Sequence, residues 1–588
     1  MIAKRLSPLR LKSSSVLIRP AQATAVVFLI ILAIRSAVRF EFRWDTVWYH
    51  LPFAALRGGL DLPYHMNEAM QLRFQGFPPL PHLIQGVLWR ITGSIHATGI
   101  VNYLAFISFL AYCHTVLRAN GWLVALISLT APLVIIHATS SYVDLFGNSF
   151  LAIGLASCFY LVLYPGRASR TILIGALTGA TAAAWSKFQL VPLAMLVFFF
   201  LLCFSLPRSH VFPELTRRQV TLLILVGSVI ALIPYLKNIV IYGNPFWPVR
   251  LPVIGNNIPY AERIDVAILN ERPSALRDRS QFSLFFRSLF EINHPVRYPH
   301  RPRWIIDQGN ASIAFRSGGF WVVGSVVYLT CLLMMLVAKL GKRALGGVLL
   351  VLGLILLIAK LPQSHELRYY LCLPLFWAAS IGVLYGDLKG RFPALVDPFL
   401  GLVLVLFGYM VSENRMHYTI ERVGYQEAAD WWGASPWWGR LERGEEYCAV
   451  NLAPKTILMT GPTMREFTIT DRTHSFLCPY PSTVLSSNGS ILPLNQNLLL
   501  TESLTLHQEG KFEDSLKASL RAIELKPDFA LAHNNACSAL NNLRRWNDAI
   551  AACLIALKIA PDLSIARNNL EYAQRMAAET RAGGRAGP

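Results

Sequence analysis

Glu41-Phe42-Arg43-Trp44-Asp45-Thr46-Val47-Trp48-Tyr49-His50-Leu51-Pro52-Phe53 follows the first long apolar run of the chain, Ala21–Val38. A helix that crosses a bilayer needs about 20 mainly apolar residues, and that run nearly supplies them. Asp45 therefore falls just past the far end of a membrane helix, at the water boundary. A carboxylate among Trp44, Trp48, Tyr49 and His50 is shielded from water yet within reach of a substrate. Such a setting tunes it as a base or an orienting group. The same residues also read as a helix cap ringed by an interfacial aromatic belt. The rest of the chain weighs between the two.

Outward from this stretch, 54% of the 588 residues are hydrophobic and only 15% are charged, with a mean hydropathy of +0.42. That balance belongs to a polytopic membrane protein and not to a soluble domain. The formal charge of +20 suits cytoplasmic loops, anionic head groups and a negatively charged lipid-phosphate substrate. The basic residues are dispersed among apolar runs, so no nucleic-acid partner is expected. Of the nine cysteines, Cys113, Cys158, Cys203, Cys331 and Cys372 fall in or beside apolar runs as packing residues, and no CxxC zinc pattern occurs. Cys448 and Cys478 lie in a polar segment and are expected to form a disulfide if that segment is extracytoplasmic.

Residues 1–20 carry Lys4, Arg5, Arg10, Lys12 and Arg19 ahead of the apolar run, and Arg35 and Arg39 close it. This predicts an uncleaved signal anchor with a cytoplasmic N-terminus. Residues 40–96 are too polar to span, and Leu83–Ile91 is expected to lie flat in the interface. Further spans are predicted near 97–117, 121–138, 145–164, 171–185, 189–206, 220–241, 317–338, 344–361, 371–386 and 398–412. The total is about eleven, an all-α membrane domain over 21–412 with outer loops at 40–96 and 242–316. Arg118, Arg167, Arg170, Arg208, Arg217, Arg218, Lys339, Lys342, Arg343, Lys389 and Arg391 then share one side, the cytoplasmic one. An odd number of spans leaves residues 413–588 extracytoplasmic, in a multi-pass protein of the inner (cell) membrane. Asp45, Asp144, Lys187, the 242–316 loop and Glu366–Tyr370 all emerge on that outer face, and several charged groups converging at one boundary suggest a site.

Residues 413–495 read as a small mixed α/β segment, with a helix at Val423–Trp432 and a strand at Thr456–Thr460. Trp431, Trp432, Trp437 and Trp438 fit interfacial anchors better than a sugar platform. Over 496–580 a period of 34 emerges: Phe512 and Trp546, Ser515 and Ala549, Leu520 and Leu554, Ala522 and Ala556, Pro527 and Pro561. Small residues at helix crossings and a Pro after the second helix make this similar to tetratricopeptide repeats, an α-helical solenoid that recruits a protein partner. Cys537 and Cys553 are expected as small packing residues at a helix crossing. Residues 581–588 read as a disordered tail.

The membrane part resembles the GT-C superfamily of integral-membrane glycosyltransferases, in particular bacterial relatives of protein O-mannosyltransferases and of the transferases that add aminoarabinose to lipid A. The resemblance covers roughly residues 20–412. It rests on Trp44-Asp45…Tyr49-His50-Leu51-Pro52, Phe77-Pro78-Pro79-Leu80, Tyr142-Val143-Asp144-Leu145, Trp185-Ser186-Lys187, Lys237-Asn238…Tyr242-Gly243-Asn244-Pro245-Phe246-Trp247-Pro248 and Glu366-Leu367-Arg368-Tyr369-Tyr370…Pro374. It implies a sugar donor carried on a polyprenyl phosphate and an acceptor hydroxyl on protein, lipid or polysaccharide. By that resemblance Asp45 is the base, His50 and Asp144 orient the acceptor or the base, and Arg368, Lys187 and Tyr369 bind the donor phosphate. Many relatives carry two adjacent acidic residues in the first loop, whereas Thr46 follows Asp45 here. With no Asp-x-Asp pair evident, metal-free and cofactor-free chemistry is expected. A non-catalytic scaffold or a transporter is the alternative; a transporter should show two-fold internal symmetry and broken spans, and neither is visible in the sequence.

Overall fold

The computed structural model describes residues 15–38, 45–60, 68–93, 96–207, 212, 214–249, 279–292, 304, 318–339, 341–414, 448–453, 456–460, 484–485, 491–492 and 496–583. The chain divides into two compact units, 1–61 with 68–433 and 62–67 with 434–588. The regular elements described in the first unit are helices. Its helices are α1 Ile18–Val38, α2 Leu51–Arg57, α3 Glu68–Gly76, α4 Leu80–Thr92, α5 Ala97–Thr115, α6 Gly121–Leu129, α7 Pro132–Ala138, α8 Asp144–Leu163, α9 Arg170–Ala184, α10 Val191–Ser205 and α11 Arg217–Tyr242. Then come α12 Gln281–Leu289, α13 Val322–Lys339, α14 Lys342–Lys360, α15 Cys372–Arg391 and α16 Val396–Glu413.

Among the described residues, nine helices are long and apolar enough to cross a membrane, or ten if the bent pair α6–α7 counts as one. The expected straight span at 121–138 is thus corrected. Its two halves meet at 102°, because Pro132 has no N–H to continue α6 and forces the preceding Ala131 into an extended conformation (φ −84°, ψ 110°). The amide of Leu133 is used laterally instead, donating to the Gly319 carbonyl at 3.1 Å. The chain therefore contains a sharply bent apolar helix pair. At 15 residues α9 is short for a crossing, since it rises only about 22 Å.

Nearly uniform apolarity gives no amphipathic stripe to orient these helices, so burial distinguishes them. In α8, 89% of the span is buried, and in the segment Leu367–Arg391 83%, whereas α11 is buried over only 28%. The first two form the centre. The exposed Leu222, Leu225, Val229, Ile233 and Val240 of α11 face the surroundings of the bundle. Small residues set the close approaches: a Cβ at Gly179 of α9 would lie 2.5 Å from the Phe150 carbonyl oxygen of α8. The stretch 83–91 belongs to α4, whose Leu83, Val87 and Ile91 form one exposed stripe opposite the buried Trp89, Gln85 and Gly86.

Side-chain ties identify the two ends of the bundle. At one end, Ser15 and the amide of Leu17, at the start of α1, bond Asp397 at the start of α16. Lys339 at the end of α13 pairs with Asp387 of α15, which also accepts from Tyr164 at 2.7 Å. At the other end, the Trp304 amide donates to Asn414 after α16 at 3.2 Å, and Trp304 Nε1 donates to Glu291 at 2.8 Å. Glu291 also takes the Gly319 amide, ahead of α13, at 3.1 Å, while Ser288 of α12 donates to the His365 carbonyl. Asp45, Asp144, Lys187 and Arg368 belong to this second end.

The second unit holds a strand hairpin, β1 Cys448–Ala453 antiparallel to β2 Thr456–Thr460, and a two-residue pair, β3 Val484–Leu485 with β4 Ile491–Leu492. Its helices are α17 Gln496–Gln508, α18 Phe512–Leu525, α19 Ala530–Asn542, α20 Trp546–Ile559 and α21 Ser564–Gly583. The period of 34 maps onto them: Phe512 and Trp546 open α18 and α20, and Ser515, Ala549, Ala522 and Ala556 are fully buried. Leu520 and Leu554 keep the spacing but are exposed. Cys537 and Cys553 are not simple packing residues, because they form a disulfide between α19 and α20. The helix expected at Val423–Trp432, the four tryptophans at 431–438, the Cys448–Cys478 pair and the 584–588 end of the expected tail lie outside the described side chains.

Candidate active site

The stretch after α1 enters the structure at Asp45, which precedes a π-helical turn, Thr46–His50, running directly into α2. Such widened turns are rare and recur at functional sites. Pro52 suits the first turn of α2, where no amide is needed. The Tyr49 ring lies 4.1 Å from that of His50, tilted by 42°, and meets Phe77 edge-on at 6.5 Å, and Phe77 meets Phe188 at 5.7 Å. The aromatic residues of this stretch therefore join the Phe77-Pro78-Pro79-Leu80 turn to the segment after Lys187. The backbone strengthens that join, for the Leu80 amide donates to the Trp185 carbonyl at 3.1 Å.

The other motif stretches are fastened by amide side chains. Asn102 of α5 donates to the carbonyls of Ser140 (2.9 Å) and Tyr142 and accepts from the Phe146 amide at 2.9 Å. One side chain thereby holds the chain on both sides of Asp144. Asn148 donates to the Asp144 carbonyl and accepts from the Cys372 amide, both at 2.8 Å, linking α8 to the turn that carries Arg368. Asn238 donates to the carbonyls of Gly76 (2.9 Å) and Pro245 (3.2 Å). The Asn238…Gly243-Asn244-Pro245 stretch thus serves to hold α3 against the end of α11, where Gly243 takes the left-handed cap conformation at φ 68°.

Within this frame the charged residues meet. Arg368 lies in the 3-10 turn Leu367–Tyr370 ahead of α15, and its Nη1 donates to Asp45 Oδ2 at 3.0 Å. Its Nε stands 3.4 Å from Glu366 Oε2, and its Nη2 donates to the Tyr369 hydroxyl at 3.0 Å. Asp45 is 8% exposed and Arg368 4%. The Asp45 amide donates to the Tyr142 hydroxyl at 3.3 Å, and the Arg368 guanidinium lies 5.6 Å from the centre of the Tyr142 ring. Beside this pair, Lys187 is ion-paired with the fully buried Asp144 and sits 4.1 Å above the Tyr369 ring. Tyr369 therefore touches both cations. Asp144 Oδ2 is buried without a hydrogen bond among the described residues. His50 hydrogen-bonds His82 through Nδ1 and Nε2 at 2.8 Å. Burial pushes the His50 pKa well down, helped by His82, Lys187 and Arg368, and pushes that of His82 down to about 3. Burial thus favours the neutral form of both rings.

The structure thus brings Asp45, His50, Asp144, Lys187, Arg368 and Tyr369 to one end of the bundle. It adds Glu366, Tyr142 and His82. Glu366 and Tyr142 stand inside the quoted motif stretches, but their partners are set by packing. His82, beside the Pro-Pro turn, carries no sequence signal that separates it from an ordinary buried histidine. Two cations and three carboxylates, almost sealed from water, form an arrangement in which each charge is worth several times its value in solvent. The carboxylates can take a proton, and Lys187 and Arg368 supply the positive charge beside them.

No protein-family model and no curated protein matches the chain. By structure it is similar to ArnT from Cupriavidus metallidurans. In the apo state the identity is 15% and the TM-score 0.39, over 66% of this chain and 63% of that one. Bound to undecaprenyl phosphate the values are 12% and 0.40, over 96% and 85%. The chain thus spans less than two thirds of the length of the apo structure. Likeness at this level fixes no chemistry, which is argued from the side chains alone.

Proposed function

We propose that the protein is a GT-C-type membrane glycosyltransferase that moves a sugar from a polyprenyl-phosphate carrier to an acceptor hydroxyl. The observation that carries this reading is the Asp45–Arg368 ion pair. It unites a candidate base and a candidate phosphate-binding cation that lie 323 residues apart in the sequence.

An acceptor hydroxyl is a weak nucleophile near neutral pH, so a positioned carboxylate must take its proton as the bond to the sugar forms. Asp45 does this, and its ion pair with Arg368 aims the carboxylate. As the bond from the anomeric carbon to the phosphate oxygen breaks, its electron pair leaves with the lipid phosphate. Lys187, Arg368 and the Tyr369 hydroxyl are placed to receive that charge. Glu366 holds Arg368 from the far side, and Asp144 holds Lys187. One displacement inverts the anomeric centre. Asp144 Oδ2 and His50 Nε2, both without a hydrogen bond among the described residues, are available to orient a hydroxyl.

Two observations support an extracytoplasmic site. The basic residues Lys339, Lys342, Arg343, Lys389 and Arg391 lie at the bundle end opposite Arg368, which makes that end cytoplasmic. The chain leaves α16 at the site end, and the disulfide Cys537–Cys553 farther on belongs in an oxidising compartment. The helices α17–α21 are read as tetratricopeptide-like units that dock a partner or the acceptor. The bent pair α6–α7 does not favour a transporter, since its break carries Thr130 and Ala131 and the charged residues lie at the membrane end.

Deleting the gene and weighing envelope glycans and lipid-linked sugars by mass spectrometry tests this reading. Loss of one sugar from an envelope acceptor, with the polyprenyl-linked sugar accumulating, is expected. An unchanged envelope and an unchanged lipid-linked pool would contradict it.

A further inference from the structure

We propose that His82 is a positioning residue for this transfer, which fixes the ring of His50 so that His50 Nε2 meets a substrate hydroxyl. The inference rests on the glycosyltransferase reading above and on the following geometry. His50 ends the π turn that begins after Asp45, and His82 lies in the first turn of α4. The two rings are nearly parallel, 28° apart with centroids at 5.1 Å, and the bond between them spans 2.8 Å. His50 is 1% exposed and His82 4%.

A neutral imidazole has one N–H and one lone pair. The bond to His82 uses His50 Nδ1 and leaves Nε2 as its remaining polar atom. That atom is buried and makes no hydrogen bond among the described residues. Leaving such a group unpaired carries a desolvation penalty that a bound ligand removes. The surroundings place it beside the reacting groups: the His50 ring is 5.2 Å from that of Tyr142. Tyr142 in turn accepts the Asp45 amide and lies under the Arg368 guanidinium.

His82 is suited to hold the ring because its own helix cannot drift. A Cβ at Gly86 of α4 would lie 1.9 Å from the Ala54 carbonyl oxygen, so α2 and α4 touch backbone to backbone. Phe53 of α2 meets His82 edge-on at 5.5 Å. The bond thus ties the π turn to a rigid two-helix body. In one tautomer His50 Nε2 accepts from a substrate hydroxyl, and in the other it donates to one. The hydrogen bond couples the two rings, since one nitrogen of the pair donates only when the other accepts.

Two substitutions separate positioning from packing. His82→Phe keeps an aromatic ring against Phe53 and removes the hydrogen bond. His82→Gln loses the ring but can donate to or accept from His50 Nδ1. With full-length protein in detergent and a polyprenyl-phosphate sugar, His82→Phe should lower kcat by roughly 10- to 100-fold, the scale of a misplaced reacting group, while donor KM stays unchanged. His82→Gln should restore most of that loss. A tolerated Phe and a damaging Gln would show a packing role and overturn the proposal.

A second readout does not depend on turnover. Nitrogen NMR of protein labelled at its histidine rings, with the His50 signals assigned from His50→Gln, should show a coupling across the hydrogen bond between His50 Nδ1 and His82 Nε2. His82→Phe should lose it. Absence of that coupling in the wild type would overturn the proposal whatever the activity. The coupling in a protein without transferase activity would instead overturn the functional reading and leave the histidine bond standing.

Discussion

Asp45 and Arg368 are 323 residues apart in the chain, yet Arg368 Nη1 donates to Asp45 Oδ2 at 3.0 Å in an environment almost closed to water. Charges so placed are stable only as partners, because a single buried charge costs several kcal/mol. Arg368 also faces Glu366 at 3.4 Å, so one cation serves two carboxylates.

Arg368→Ala should therefore destabilise the membrane unit by about 3–5 kcal/mol, read as a lowered thermal midpoint in detergent. Adding Asp45→Asn to Arg368→Ala should recover part of the loss, since the stranded carboxylate is then neutral. Strict additivity of the two changes would show that they do not interact.

The disulfide in the second unit gives a prediction about compartment. Cys537 and Cys553 close a short loop, with a separation of 16, and a bond of that loop length contributes about 3 kcal/mol. Protein taken from native membranes should yield the linked peptide pair without reductant, and reduction should loosen α19 and α20 in proteolysis. Both cysteines found as free thiols in untreated membranes would place this unit in a reducing compartment and reverse the topology.

Gly179 tests whether the Lys187–Asp144 pair depends on close helix packing. A Cβ there would stand 2.5 Å from a backbone oxygen of α8, and backbone cannot turn aside as a side chain can. Gly179→Val should cost about 1–3 kcal/mol, the usual range for overpacking, and should reduce turnover by shifting Lys187. Unaltered stability and turnover would mean that α8 and α9 are farther apart than described.

Removal of residues 497–588 should leave transfer to a small soluble acceptor while weakening association or acceptor choice. Complete loss of transfer by a truncated protein that still folds would contradict this division of labour.

What the sequence discloses and what it hides follow one physical line. Apolar runs near 20 residues, the 34-residue period and the basic clusters are local patterns, and each appears in the structure where the pattern lies. Pro132 inside the 121–138 run is a visible break signal, but uniform apolarity makes that run look continuous. Asp45, Lys187 and Arg368 attract notice as charged residues at span ends. Nothing local indicates that Arg368 grips Asp45 rather than waiting open for phosphate. The pairing is made by α8, whose Asn148 bonds the start of α15. His82 and the Cys537–Cys553 bond are hidden for the same reason. Each is an ordinary buried residue until a neighbouring helix places its partner beside it.

The central claim is that Asp45 accepts the proton, and one comparison tests it most directly: turnover and donor affinity of Asp45→Asn against wild type, in full-length protein matched for folding. Asparagine keeps the size of aspartate and removes the proton acceptor. Turnover should fall by about 100-fold or more, the usual contribution of positioned acid–base catalysis. Binding of the polyprenyl-phosphate donor should hold, because Lys187 and Arg368 remain. Near-normal turnover in Asp45→Asn would return Asp45 to the role of a structural partner of Arg368 and leave Asp144 as the carboxylate to test.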